Sequence, residues 1–166
     1  MSEIIVGVLS GFIASGIFLL FLRSLRPNIH ISPEIAVNNN KYTIKIINKS
    51  QRNAVDIRVE LLLVQSKNVP GGSIISTNTI QLNKDKAFIL AGYDSNDTDA
   101  KYARRFNTDE DLHGMWNNKD IQYLIFRIYC HDEVSGFGKV FSSEYRTKRN
   151  SLISGQFHFG NDLSIS

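Results

Sequence analysis

The sequence predicts a mostly β fold, two antiparallel sheets packed as a sandwich, preceded by one N-terminal transmembrane helix. Three observations predict it. A run of nineteen residues near the N-terminus, Ile4 to Leu22, contains no charge and no proline. From about Ile29 the pattern changes from solid apolar to alternating apolar and polar residues, the period of a half-buried strand. Short strand-like segments then follow one another between turn-forming residues with almost no helical period, which signals a sandwich or barrel.

The helix comes first. At about 1.5 Å per residue the run spans roughly 28 Å, close to the ~30 Å hydrocarbon core of a bilayer. Met1-Ser2-Glu3 carries no Lys or Arg, and "FLRSLRP" after the run offers no small-x-small cleavage site, so a retained anchor is expected rather than a signal peptide. Arg23 and Arg26 follow the run while Glu3 precedes it. The positive-inside rule then gives a single pass through the cell inner membrane, with the N-terminus outside and the bulk of the chain cytoplasmic. Asn48-Lys49-Ser50 and Asn96-Asp97-Thr98 match the glycosylation sequon, which matters only on the opposite topology. Residues 1–26 are thus read as the anchor and 27–166 as a cytosolic domain.

Within the anchor, Gly7, Gly11 and Ser15 recur every four residues, and Ser10 and Ala14 widen the stripe. Lipid is as apolar as leucine, so membrane helices associate where small residues let backbones approach. The stripe predicts helix packing with another copy, hence a homo-oligomer.

The strands follow in order. "KYTIKIIN", Lys41 to Asn48, places Tyr42, Ile44 and Ile46 on one side and Thr43, Lys45 and Ile47 on the other. "AVDIRVELLLV", from Ala54, puts Val55, Ile57, Val59, Leu61 and Leu63 on one face and Asp56, Arg58 and Glu60 on the opposite one. The polar Asn48 to Asn53 between them reads as a turn. Further strands are expected at Ser73 to Leu82, Ala87 to Tyr93, Ile121 to Asp132, Gly138 to Tyr145 and around Gln156 to Phe159. In "IQYLIFRIYCHD", Leu124, Phe126, Ile128 and Cys130 should be buried, with Tyr123, Ile125 and Tyr129 partly covered and Arg127 in solvent. Glu133 to Gly136 supplies the hairpin turn. Asp94 to Lys119 is polar and longer than most connections in a compact domain. Thr108 and Asp111 have the spacing of a capping box, and one or two helical turns there should bring Leu112, Met115 and Trp116 to one end of the core.

Chemistry-bearing patterns are sparse. A formal net charge of +3 implies no nucleic-acid partner. The single cysteine cannot form an intramolecular disulfide and favours a reducing compartment. His30, His113, His131 and His158 form no pair at metal-ligand spacing, so neither metal nor cofactor is expected. In Cys130-His131 the two side chains point to opposite faces of a strand, which rules out a thiol–imidazole pair. "VPGGS" and "GFG" lack the helix a phosphate loop needs. No catalytic signature is present, and the chain is read as a non-enzyme. Two basic clusters, Lys101 with Arg104 and Arg105, and Arg146 with Lys148 and Arg149, join Arg23 and Arg26 as candidate contacts for anionic lipid or an anionic ligand. The 19 basic residues of the whole chain are nearly balanced by 16 acidic ones, so a site requires the clusters to converge in space.

"DEDLHGMW", "IQYLIFRIYCHDEVSGFGKVFSSEY" and "ISGQFHFG" together resemble the cytoplasmic immunoglobulin-like domain of inward-rectifier potassium channels, with a strand, an acidic-Ser-Gly hairpin, a strand ending in Tyr and a closing Gly-x-x-Phe element in that order. "ISPEIAVNNNKYTIKIINKS" is similar to that family's opening strands. The resemblance covers most of residues 29 to 160 and implies an immunoglobulin-like sandwich that assembles next to a membrane. Such channels carry two membrane helices and a Thr-x-Gly-Tyr-Gly filter. This chain has one hydrophobic segment and no filter, so the resemblance does not carry conduction with it.

These readings converge on a single-pass membrane-anchored, self-associating interaction or sensor module, taking a protein partner or an anionic small molecule. The alternative is a membrane-disrupting or pore-forming effector of a bacterial antiviral defence system, triggered by a ligand or partner at the β domain.

Overall fold

The computed structural model describes residues 2–116 and 121–166. Helix α1, Ser2–Ser24, is followed by strands β1 (Ile29–Ile31), β2 (Ile35–Asn38), β3 (Lys41–Asn48), β4 (Ala54–Val69), β5 (Gly72–Ile80), β6 (Lys86–Leu90) and β7 (Ala103–Thr108). A short helix α2 (Leu112–Met115) leads to β8 (Ile121–Asp132) and β9 (Gly138–Tyr145), and α3 (Lys148–Ser151) to β10 (Leu152–Ser154).

The strands form two five-stranded sheets that enclose one core in a sandwich-like arrangement. Strand β3 is the spine of the first sheet. One of its edges pairs with β2 and then β1, and the other pairs with β7 along its length, Lys45 opposite Arg105. The second sheet runs β9-β8-β4, with β5 and β6 lying one after the other along the far edge of β4. Among the described residues all strand ladders are antiparallel except one. Strand β10 lies parallel to β2, Leu152 opposite Ile35, which corrects the purely antiparallel expectation.

Alternation decides most of the core. Ile44 and Ile46 of β3 meet Leu61 of β4 and Phe126 and Ile128 of β8, all buried. At about 25 cal/mol per Å² of apolar area, such burial dominates the stabilisation of a domain without disulfides. Tyr145 spans the layers: its buried hydroxyl donates to the Ser32 carbonyl at 2.9 Å.

Several expectations fail for identifiable reasons. Val55 does not share the core face of β4. A bulge between Val55 and Arg58, with Asp56 at φ +49°, shifts the phase so that Ala54 faces inward in place of Val55, while Ile57 keeps the core face expected of it. Ile47 and Lys45, assigned to the polar face of β3, are buried there, because Ala100 and Tyr102 cover Ile47 and the C-terminal segment covers Lys45. Within the expected long loop, residues 103–108 form β7, while positions 117–119 lie outside the described residues. The Thr108–Asp111 capping box does not form. The Thr108 hydroxyl donates to Gln81 and accepts from the Glu110 amide, which holds a turn ahead of α2. Leu112 and Trp116 are buried, but Met115 is 38% exposed. Gln156 to Phe159 is not a strand; the last strand is β10, followed by a single bridge between Phe157 and Ile165.

Strand β5 ends its sheet, and every residue from Gly72 to Thr79 is exposed. Among the described residues, pairing with β8 reaches Ser66, and the β4–β5 hairpin continues beyond it as a two-stranded ribbon to the turn at Val69 and Gly72. No charged residue occurs from Asn68 to Asn83.

Candidate functional site

Over Ile4–Arg23 the helix has a mean hydropathy of 2.5 and none of it is buried, so α1 is long and apolar enough to cross a membrane. Its apolar side chains leave no polar face that could rest in water. Gly7, Gly11 and Ser15 are exposed, and a Cβ placed on either glycine would meet nothing within 4 Å. The Ser10 hydroxyl donates to the Gly7 carbonyl at 2.9 Å, so it remains satisfied inside the helix. The stripe is thus open to another helix, and only backbone proximity would fill it.

Four residues separate α1 from β1, which fixes which end of the sandwich lies beside the helix. Ile29 pairs with Asn48, and Ala54 pairs with both Leu90 and Asp132, so the turns 49–53 and 133–137 share that end. Arg23 is exposed in the last helical turn, and the Arg26 guanidinium sits 5.8 Å from the Phe137 ring. Asp132 organises this end. Its carboxylate accepts from Arg52 Nε at 2.9 Å, from the Ser135 amide at 2.7 Å and from the Val134 amide at 3.1 Å. Burial alone would raise its pKa; the hydrogen bonds from Ser135 and Arg52 outweigh that and hold it below the usual carboxylate range. Buried Asn48 donates to the carbonyls of Arg52 at 2.8 Å and Ala91 at 2.9 Å, tying the turn to the chain after β6. Gly92 is required there, because a side chain would collide with the Gln51 carbonyl.

On the outer face of the first sheet, Lys45 and Arg105 are direct cross-strand neighbours. Two like charges in that position repel. Lys45 is only 2% exposed, and its ammonium donates to the carbonyls of His158 at 2.7 Å and Asp162 at 2.6 Å. Arg105 donates to the Phe157 carbonyl at 2.7 Å. Main-chain oxygens of the C-terminal segment therefore do what a carboxylate would ordinarily do. Burial, and next the Arg105 charge, push the Lys45 ammonium below its ordinary pKa, against the pull of Asp162. Two open clefts meet at Arg105. One of about 420 Å³ is lined by Asn38, Lys41, Thr43 and Asn107, and one of about 290 Å³ by Lys45, Ala103, Phe159 and Gly160.

The basic clusters do not converge. Arg104 pairs with Ile46 and Arg105 with Lys45, so alternation sends the two arginines to opposite faces of β7. Lys101 is paired to Asp99 at 3.1 Å. Arg146 binds Glu144 at 2.6 Å and lies over the Tyr123 ring, Lys148 donates to the carbonyls of His113 and Trp116, and Arg149 is exposed on α3; this group lies at the end remote from α1. The candidate residue that sequence reasoning missed is Lys45. Its alternation assigned the face correctly, but no local signal reveals that a segment more than a hundred residues away covers it.

Cys130 and His131 point to opposite faces, as strand geometry requires. The Cys130 thiol is fully buried and pushed up to about 12 by that burial. His131 instead packs on the outer face with Tyr129, whose hydroxyl is 2.7 Å from Nε2, while Nδ1 lies 3.8 Å from Asp56. Gly138 opposite leaves room for this pair, since a Cβ there would sit 2.9 Å from the Tyr129 hydroxyl. Among the described residues no group of His, Cys, Asp and Glu is placed to hold a metal.

No known family matches the chain, and no curated protein is similar to it. Among solved structures, the E. coli curli protein CsgC is similar at a TM-score of 0.30 and 11% identity, over 73% of this chain and 99% of that one. A likeness of that size carries nothing about fold or function.

Proposed function

We propose that this chain is a single-pass membrane-anchored, self-associating interaction or sensor module. In this reading α1 crosses the cell inner membrane with its N-terminus outside, copies associate through Gly7, Gly11 and Ser15, and the cytoplasmic β domain receives a protein partner or an anionic small molecule. The observation that carries it is the twenty-residue apolar helix with no buried side chain, joined to a β domain by only four residues. Water does not support such a surface; a bilayer does. The Lys45–Arg105 pair is the best-supported seat for an anion, because its cations are held by neutral carbonyls that a phosphate or carboxylate would outcompete. The two-sheet architecture and the sequence resemblance to inward-rectifier cytoplasmic domains support an immunoglobulin-like type for the sandwich.

The test combines topology and association in the full-length protein. A reporter fused after Ser166 should behave as cytoplasmic, and crosslinking in membranes should weaken in the double variant Gly7→Leu, Gly11→Leu while insertion survives. A periplasmic signal from the fusion, or unchanged crosslinking in the double variant, overturns the corresponding half of the reading. Dye leakage that appears with association and vanishes with it would favour the pore-forming alternative over a tethered module.

A further inference from the structure

We propose that the sandwich does not stand free above the bilayer but lies on it, with Phe88, Ile89 and Val134 entering the boundary between headgroups and acyl chains. This rests on α1 being membrane-spanning. Phe88 is 88% exposed and Val134 65%, values expected of surface lysines rather than of large apolar side chains in water. Both belong to the end of the sandwich next to α1. Ile89 pairs with Val55 at the start of β4, and Val134 tips the β8–β9 turn whose Phe137 carries the Arg26 guanidinium.

Reach makes the lipid surface the occupant. Residues 25–28 can extend over at most about 17 Å between the end of α1 and β1. The headgroup layer itself is roughly 5–8 Å deep on each side of the hydrocarbon. The turn at 133–137 touches a residue only two positions beyond the helix, so the helix holds this end beside its own exit from the membrane. The patch continues across the second sheet through Val55, Tyr129 and Val140, which are lateral or next-row neighbours.

Charge fits the same placement. Lys84 and Lys86 both closely precede Phe88 in sequence, and Lys139 lies 4.5 Å over the Phe141 ring, the mixture of long cations and aromatics that suits an interface. Of the nearby acids, Asp132 is paired with Arg52 and Asp56 with Arg58, Glu133 accepts from the Asn53 amide, and Asp85 sits between Lys84 and Lys86 in sequence. The acidic stretch from Asp94 to Asp97 leaves the same end over the outer face of the first sheet, where Tyr93 packs on Tyr102. The domain therefore tips its second sheet toward the lipid and keeps that stretch away from anionic headgroups.

Tryptophan quenching tests this on the full chain in liposomes of phosphatidylcholine and phosphatidylglycerol. Trp116, buried beside α2 at the remote end, provides a constant background. Phe12→Trp in the helix, Phe88→Trp, Val134→Trp and Ile74→Trp on the ribbon are compared with and without brominated acyl chains. Expected is loss of the added emission at Phe12→Trp, Phe88→Trp and Val134→Trp, and none at Ile74→Trp. Quenching at Phe12→Trp with Phe88→Trp and Val134→Trp as bright as Ile74→Trp overturns the proposal alone. An unquenched Phe12→Trp overturns the membrane reading beneath it.

Discussion

Removing the Asp132 carboxylate should destabilise the helix-proximal end of the sandwich. The group is 1% exposed and accepts three hydrogen bonds, two of them from the amides of the turn that follows it. Breaking a buried ion pair from one side costs about 3–5 kcal/mol, and hydrogen bonds to a charged group contribute about 1.5–3 kcal/mol each. Arg52 keeps 32% of its side chain in solvent and can rehydrate, which points to the low end of the range. We expect about 3 kcal/mol for Asp132→Ala. Asp132→Asn keeps one acceptor oxygen and should cost roughly half as much. For a domain of this size each kcal/mol moves the midpoint by about 3 °C, so Asp132→Ala should melt about 9 °C lower. The pH dependence supplies a second signature. Because the folded carboxyl lies below its unfolded value of about 3.9, the unfolded state binds more protons in acid. The stabilisation is complete above the unfolded value and is lost as pH falls through the folded one. Thermal melts of the full-length protein in micelles, followed by circular dichroism from neutral to acid pH, measure both. A midpoint for Asp132→Ala within 2 °C of wild type, or an acid limb as steep in Asp132→Asn as in wild type, would refute the reasoning.

Cys130 should impose an alkaline limit. An unfolded thiol ionises near pH 8.5. The native one resists until about 12, so the native state retains its proton and stability falls as pH rises between those values. Melts of Cys130→Ala should lose that slope between about pH 8.5 and 10, below the range where unfolded tyrosines ionise, and the native thiol should resist maleimide. In β4, Val59 is buried while Glu60 is exposed and paired to Arg127 at 3.2 Å. Val59→Asp should unfold the β domain, since an unpaired buried charge costs several kcal/mol, whereas Glu60→Ala should stay within about 0.5 kcal/mol of wild type; equal midpoints would show that the strand register is wrong.

What could be read from the sequence is what local periodicity records. The spans of β3, β8 and β9, the inward set of Leu124, Phe126, Ile128 and Cys130, and the burial of Leu112 and Trp116 all follow from alternation or from an apolar residue in a polar stretch. Val55 is misplaced because the extra residue of the bulge inverts the face on its N-terminal side while Ile57, Val59, Leu61 and Leu63 keep theirs, and aspartate tolerates the left-handed conformation without announcing it. Strand β7 was hidden because Arg104 and Arg105 are charged on both of its faces, one at an edge and one beneath the C-terminal segment. The candidate anion seat was only half legible. Arg105 stood out as a basic residue, but Lys45 becomes its neighbour through a pairing some sixty residues apart, and its burial through a contact of over a hundred.

The unguarded edge of β5 has a consequence for orientation. Soluble proteins usually protect such an edge with charges, and this one has none between Asn68 and Asn83. Two copies that zip β5 to β5 antiparallel are related by a two-fold axis perpendicular to the sheet. Copies threaded the same way through one bilayer share only an axis along the membrane normal. A second sheet tipped toward the lipid brings those two axes together, so the tilt of the domain decides whether the sticky edge can find its double. In detergent that constraint on direction is gone, and the ribbon should be where extracted protein first begins to clump.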